Sequence, residues 1–259
     1  MKKIALIFTT GSILLLGACS PQMQKQLLSD AESIALQEAQ NILTGQTGGA
    51  GSASVTQTDA ASAIREALTN GINHGVTQVS ASNGYFGNGV IKVLFPKESQ
   101  NVETVLRGIG QGALIDKVVM QMNRSAEQAA PKATSIFIDA ITKISISDAI
   151  TLVKSDKQDA CTTFLKAATN DALVGAFKPS IKTALDQTHT TQIWSDVMGV
   201  YNKVPLVTQV NTDLPGYVTQ KAVDGLFFTI SQEEAKIRKD PMGQVSELIK
   251  RVFGSLLGK

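Results

Sequence analysis

The sequence predicts an all-α protein, a multi-helix globular bundle of about seven to nine helices given the average helix length. Apolar residues recur at i, i+3, i+4 and i+7 spacing over most of the chain, which is typical of amphipathic helices. Hydrophobic residues make up 43% and charged residues 18% of the 259 residues, a balance that suits a globular core. Aromatic residues make up only 5%, so Ala, Val, Ile and Leu must fill that core.

The N-terminus has the pattern of a bacterial secretory signal. Lys2 and Lys3 supply a positive start, and residues 4–16 form a mainly apolar run. This run is shorter than the ~20 residues that cross a bilayer as a helix. It therefore predicts a signal peptide over residues 1–18 rather than a membrane span.

The four residues Leu16-Gly17-Ala18-Cys19 resemble the lipobox of bacterial lipoproteins. Small residues before the cleavage point fit a narrow peptidase site, and Cys19 supplies the thiol that takes the lipid, with palmitate among the expected acyl chains. Two such chains already anchor a protein stably. Ser20, rather than Asp, favours the outer membrane of a diderm bacterium, with the protein facing the periplasm. The alternative is an ordinary cleavable signal followed by a coincidental cysteine.

The charge balance gives no indication of a nucleic-acid partner. The chain has 24 basic and 22 acidic residues, and removal of the signal takes away Lys2 and Lys3, which leaves a neutral protein. Basic residues do not cluster or interleave with aromatic residues, as nucleic-acid surfaces require. We therefore expect the membrane, and an envelope protein, as partners.

The composition divides the exported chain into two parts. Residues 22–43 have helical apolar spacing, and residues 44–58 are rich in Gly, Ser and Thr, which is typical of a linker. Residues 19–58 are thus predicted to be a lipid-anchored N-terminal helix and linker, and residues 59–259 a helical domain. Thr58 or Asp59 is the expected N-cap of its first helix.

A Gly-rich loop and a Gly-rich interruption lie in the first half of this domain. Residues 83–96 form the loop, and its β-branched stretch, residues 90–95, predicts a short strand or an extended core segment. Gly108, Gly110 and Gly112 interrupt the next helical stretch, and we interpret them as small residues that allow close helix approach.

Prolines and acidic caps mark the later helix ends. Pro131 is expected to end or restart a helix, and the helix predicted over residues 159–177 is expected to stop near Pro179. Ser145 and Asp148 have the spacing of a capping box. Asp213 is expected to cap the long helical section that follows it.

Several stretches, taken together and in order, resemble one bacterial family: Ala67-Leu68-Thr69-Asn70-Gly71, Asn83-Gly84-Tyr85-Phe86, Ile91-Lys92-Val93-Leu94-Phe95-Pro96, Met122-Asn123-Arg124-Ser125-Ala126-Glu127, Ser147-Asp148-Ala149, Tyr217-Val218-Thr219 and Glu233-Glu234-Ala235-Lys236-Ile237-Arg238-Lys239-Asp240-Pro241. The family is known as domain of unknown function 4197, and the resemblance spans roughly residues 59–254. It implies a mainly helical, usually exported protein, with no accepted activity or catalytic residue. Ser125 stands where the family usually has Ala.

Polar residues within apolar helices are the candidate site. Asn123 and Glu127 are separated by one helical turn and share a face, with Arg124 beside them. They either line a pocket with the loop of Asn83 and Tyr85, or form a hydrogen-bonded lock between helices. The lock is favoured because buried polar groups need partners and such networks specify packing.

Two further sets of charges complete the list of pocket or network candidates. Glu234 and Arg238 have the i,i+4 spacing of a helix-surface salt bridge, and Asp148 belongs to the capping box. As a hypothesis, Arg238 turns inward and pairs with Glu127 instead. We expect no catalytic residue among these side chains.

The sequence weakens most enzymatic interpretations. Its histidines are His74 and His189, and Cys161 is the one thiol left after lipidation, expected to be buried and inert. No nucleophile elbow and no phosphate-binding loop occur in the sequence. We therefore predict no metal and no cofactor.

The predicted function is a non-enzymatic binding or structural role in the cell envelope. The alternative is a small-molecule or lipid-binding protein, or a hydrolase, with a pocket around Glu127. A cavity of roughly 300 Å³ or more that reaches Glu127 would favour the alternative. A filled core around Glu127 would favour the structural role.

Overall fold

The computed structural model describes residues 56–240 and 246–256, and within them the chain forms nine α-helices and no strand. The all-α prediction and the predicted number of helices are thus confirmed for this part. The helices are α1 (Gln57–Ser80), α2 (Gln100–Gly108), α3 (Gly112–Ala129), α4 (Ala133–Thr142), α5 (Ile146–Lys154), α6 (Ala160–Gln187), α7 (Thr190–Tyr201), α8 (Leu214–Lys239) and α9 (Glu247–Leu256). Cys19, the predicted helix at residues 22–43 and most of the predicted linker lie outside the described residues.

Three long helices, α1, α6 and α8, form the centre of the bundle. Helix α6 packs against α8 on one side and against α3 and α4 on others, while α1 packs against α8, α5, α4 and α9. Every fourth residue of α6 is buried: Cys161, Leu165, Thr169, Leu173, Phe177, Ile181 and Leu185. Two edge-on aromatic pairs, Phe95 with Trp194 and Phe137 with Phe227, fill wider spaces between the helices.

The first helix begins earlier than predicted. Its N-cap is Thr56, whose hydroxyl accepts from the Asp59 N–H while the Asp59 carboxylate accepts from the Thr56 N–H. The prediction of Thr58 or Asp59 as the N-cap was wrong because Asp59 occupies the third position of a capping box. At Asp213 the predicted cap is confirmed, since its carboxylate accepts from the N–H of Gly216.

The two predicted proline boundaries differ in outcome. Pro131 lies in a 3₁₀ turn, Ala130–Lys132, between α3 and α4, as predicted. Pro179 lies inside α6, so the prediction that it ends a helix was wrong. The exposed ring of Pro179 faces away from the core, while Phe177 and Ile181 on either side are fully buried. Packing of these neighbours outweighs the hydrogen bond that proline removes.

The glycines between α2 and α3 make a turn rather than a helix contact, which corrects the prediction. No heavy atom lies within 4 Å of a Cβ built at Gly108 or Gly110, and Gly110 has a φ of +83° that favours glycine. Close approach occurs elsewhere. A Cβ at Gly225 of α8 would lie 2.9 Å from Tyr85 Cε1 and 3.1 Å from Ile91 Cβ.

Residues 81–96 form turns followed by an irregular extended segment, which confirms the second of the two predicted alternatives. Ile91, Val93 and Phe95 are buried, whereas Val90 and Leu94 are exposed and Lys92 is half-buried. This alternation is the period of an extended chain with one face on the core. The segment therefore lies on the bundle like a single strand without a sheet.

Replacing Gly225 should test how closely the loop packs on α8. We expect Gly225→Ala to lower the free energy of unfolding by about 1–3 kcal/mol, because the new methyl group overlaps Tyr85 and Ile91. Gly199→Ala in α7 is the matched control. Its Cβ meets nothing within 4 Å, so helix propensity alone should raise the free energy of unfolding by up to about 1 kcal/mol. Urea unfolding followed by circular dichroism measures both, and equal effects would contradict the packing described.

Candidate functional site

A buried carboxylate on α3 holds the start of the Gly-rich loop. Glu127 is only 4% exposed, and its Oε1 accepts from the backbone N–H groups of Tyr85 and Phe86 at 3.2 and 3.1 Å. Its Oε2 accepts from Arg124 Nη1 at 2.6 Å. Both oxygens of Glu127 are thus bonded within the protein, as a buried charge requires.

Arg124 connects this carboxylate to the tip of the loop. Its Nη1 also donates to Ser82 Oγ at 3.2 Å, and its Nη2 donates to Asn83 Oδ1 at 2.8 Å. The guanidinium lies 5.7 Å from the ring centre of Phe86. Asn83 itself has a φ of +69°, a left-handed turn that Asn tolerates better than most residues. The structure thus brings Asn83, Arg124 and Glu127 together.

Asn123 fixes the extended segment in the way a neighbouring strand would. Its Oδ1 accepts from the Val93 N–H at 2.8 Å, and its Nδ2 donates to the Val93 carbonyl at 2.8 Å and the Val119 carbonyl at 2.7 Å. Asn123 is fully buried. One side chain therefore satisfies both backbone groups of Val93, which would otherwise be buried without partners.

Tyr85 ties the same loop to α8. Its hydroxyl donates to the Ala222 carbonyl at 2.6 Å, and the ring is fully buried against Gly225. Burial, and secondarily the negative charge of Glu127, raise the pKa of Tyr85 well above its ordinary value. The hydroxyl thus remains a donor, and Tyr85 acts as a link between α3, the loop and α8.

Glu127 does not line the pockets that adjoin the loop. The open pocket beside the loop, which residues 81–84 and 87–89 help to line, involves Asn83 but not Glu127. Since the groups of Asn123, Arg124 and Glu127 are bonded to the protein itself, the arrangement fits the predicted lock between elements. It does not fit the predicted alternative of a pocket around Glu127.

A second buried network lies where α5 ends and α6 begins. Glu234 of α8 is 7% exposed, and its Oε1 accepts from the Cys161 N–H at 2.9 Å. Its Oε2 accepts from the N–H and the hydroxyl of Thr162, both at 2.8 Å. These N–H groups belong to the first turn of α6, which lacks a side-chain cap of its own. A carboxylate from another helix therefore caps α6 and complements its dipole.

Arg238 supplies the opposite charge to the end of α5. Its Nη2 donates to the Leu152 carbonyl at 2.9 Å, its Nη1 to the Ser155 carbonyl at 3.3 Å, and its Nε to Glu234 Oε1 at 2.9 Å. The i,i+4 pair of Glu234 and Arg238 exists, but its burial makes the prediction of a surface salt bridge wrong. The hypothesis that Arg238 pairs with Glu127 is also wrong, because each charge has its own nearby partner.

Asp148 belongs to neither network. It lies exposed in the first turn of α5, where its N–H donates to Ser145 Oγ at 3.1 Å and its carboxylate accepts from the same hydroxyl at 2.6 Å.

Sequence reasoning missed Glu233, whose carboxylate contacts His74 Nδ1 at 2.8 Å and Lys236 Nζ at 2.6 Å. The i,i+3 spacing of Glu233 and Lys236 was the available signal.

His189 and Cys161 are the remaining side chains with reactive groups. His189 is exposed at the start of α7, and Cys161 is buried, as was predicted for the cysteine. Burial, and secondarily the charge of Glu234, raise the pKa of the Cys161 thiol to about 12. Within the described ranges, no group of three or more His, Cys, Asp or Glu side chains is placed to hold a metal ion. No helix of the described part is long and apolar enough to cross a bilayer.

The geometry defines a helical bundle domain in which two buried ion-pair networks fix a loop and a helix junction. The chain belongs to a family described as protein of unknown function, DUF4197, whose model matches residues 54–254. The resemblance noted in the sequence is thus confirmed. No curated protein and no solved structure matches the chain.

A double-mutant cycle should separate the two networks. We expect Glu234→Gln and Arg238→Met to show an interaction energy above about 1 kcal/mol, because the side chains are buried and in contact. Glu127→Gln with Arg238→Met is the control and should be additive within about 0.5 kcal/mol. The measurement is urea unfolding of the four variants of each cycle. Coupling of Glu127 to Arg238 would contradict the partners seen here.

The Cys161 thiol should make the protein less stable in alkaline solution. Its ordinary pKa of 9.0 applies to the unfolded chain and the raised value of about 12 to the folded one, so the unfolded state loses the proton first as pH rises from 9 to 12. The free energy of unfolding should fall by about 1 kcal/mol from this group between pH 8 and pH 10. Cys161→Ser, whose hydroxyl does not ionise there, should show a correspondingly smaller fall in urea unfolding. Equal falls would show that the thiol is solvated.

Proposed function

We propose that this protein is a lipid-anchored component of the bacterial cell envelope whose helical domain has a non-enzymatic binding or structural role. The observation that carries the role is the use of Asn123, Arg124 and Glu127 to hold the loop. Both oxygens of Glu127 accept hydrogen bonds from the protein, which leaves no acid, base or ligand free at this position. A small-molecule site or hydrolase centred on Glu127 is correspondingly not favoured, since Glu127 lines neither the pocket beside the loop, nor the groove between residues 90–100 and α8, nor the small pocket between α1 and α8.

The proposed anchor is supported by the sequence. A positive start, a short apolar run and the lipobox-like residues before Cys19 occur together in the order that lipoprotein export requires. Acyl chains contribute about 0.8 kcal/mol per buried CH₂, so two or more chains hold the protein at a membrane. Ser20 supports the outer membrane, with the helical domain in the periplasm. Residues 19–58 then connect the lipid to the helical domain.

The anchor can be tested with the two cysteines of the chain. We expect the native protein to begin at Cys19, to carry the mass of its acyl chains and to sediment with membranes. Cys19→Ala should abolish the acyl mass and release the protein from washed membranes. Cys161→Ser is the matched control and should leave the acyl mass and the membrane association unchanged, because Cys161 is buried in the bundle. Intact-mass analysis and fractionation measure this, and a native product that still begins at Met1, or lacks acyl mass, would contradict the proposal.

A further inference from the structure

An open groove lies between the extended segment and α8, outside both buried networks. Its volume is about 590 Å³, within the range of ordinary ligand sites. Leu94 and Pro96 line one wall, and Tyr217, Lys221 and Phe228 line the other. The side chains of Val90, Leu94 and Phe228 at this groove are 72, 55 and 40% exposed. The groove is therefore accessible, lined by apolar and charged side chains together, and bounded on one side by extended backbone.

The edge of the extended segment that faces this groove keeps one backbone acceptor and one backbone donor without a protein partner. In an extended chain, the N–H and C=O of one residue point to one edge and those of its neighbours to the other. Asn123 occupies both groups of Val93, which closes the edge facing α3. The Leu94 carbonyl accepts from the Tyr217 hydroxyl of α8 at 2.8 Å, so the opposite edge faces the groove. On the same edge the Lys92 N–H donates to the Asn88 carbonyl at 2.9 Å, so among the described residues only the Lys92 C=O and the Leu94 N–H of this edge have no hydrogen-bond partner.

The charges at the groove favour an acidic occupant. Within the described part of the chain, no carboxylate forms an ion pair with Lys92, Lys97 or Lys221. Asp224 is already paired with Lys166 at 3.1 Å, which leaves Glu98 as the one unpaired carboxylate in the lining. Three ammonium groups against one carboxylate give the groove a local positive charge.

We propose that the groove binds an extended peptide segment in which acidic residues alternate with aliphatic ones. Such a segment would pair with the Lys92 C=O and the Leu94 N–H as a short added strand, with aliphatic side chains over Leu94 and Phe228 and acidic ones near the lysines. A lipid offers no backbone donor and acceptor spaced to pair with that edge. This inference deepens the proposed binding role and rests on it, but it does not depend on the anchor at Cys19.

Selection of binders tests the proposal directly. Full-length protein, purified in detergent, is used to select from a display library of random short peptides, and the selected peptides are then measured by fluorescence anisotropy. We expect enrichment of Asp and Glu in alternation with Val, Ile and Leu. Leu94→Pro, which removes the free N–H at a largely exposed position, and Lys97→Glu combined with Lys221→Glu should each weaken binding at least tenfold. Methylation of the peptide's backbone nitrogens should weaken it similarly without changing the protein.

The matched control is Lys132→Glu combined with Lys157→Glu, at two exposed lysines outside the groove, which should leave affinity unchanged. Circular dichroism shows whether Leu94→Pro folds, and the lysine variant and the methylated peptides test the proposal if it does not. Failure to select any peptide, or binding that all these changes leave intact, overturns it. The proposal is also overturned if the protein binds anionic phosphatidylglycerol vesicles but no peptide. It is overturned as well if the protein self-associates and the groove variants abolish that self-association. An acylated protein that binds no peptide refutes this inference alone, whereas peptide binding by a protein without acyl mass refutes the anchor alone.

Discussion

The hydrogen bonds that the Glu127 carboxylate accepts are the interaction that fixes the loop on the surface of this protein. The carboxylate is a buried negative charge, and its cost is offset because two backbone N–H groups and Arg124 all donate to it. Those N–H groups belong to Tyr85 and Phe86, so the charge fixes the loop at its first turn. One helical turn earlier, Asn123 fixes Val93. A single face of α3 thus determines the path of an otherwise irregular segment that has no sheet to hold it.

Buried charges also bind backbone groups at the junction of α5 and α6, where the negative and the positive charge each bind a different helix end. Glu234 binds N–H groups at the start of α6, and Arg238 binds carbonyls at the end of α5. Each charge meets the helix end whose dipole favours it, and the pair neutralises itself on α8. Replacing such a pair with apolar residues is often nearly neutral in free energy, so its value lies in fixing one geometry. Both networks specify where backbone lies, and neither leaves a polar group for chemistry.

Local sequence patterns predict the helices and the spacing of the polar residues, whereas contacts between residues far apart in the sequence could not be predicted. The helices follow from apolar periodicity, and the shared face of Asn123 and Glu127 follows from their spacing of four residues. Glu234 and Arg238 were predicted as a pair for the same reason, but not as buried. Their burial depends on α5 and α6, which lie 72 to 86 positions away in the sequence. The contact of Tyr217 with Leu94 spans 123 positions and has no local signature.

Pro179 shows that a local signal can also predict a helix end that the structure does not have. Proline normally ends a helix, yet α6 continues because Phe177 and Ile181 are already committed to the core on both sides. Tertiary packing therefore decides both where helices end and which polar groups are consumed. In this bundle it consumes Asn123, Tyr85, Glu127 and the Glu234 pair. On the described part of the surface, these buried groups hold in place the two unbonded backbone groups of Lys92 and Leu94 and the lysines around them, without occupying them.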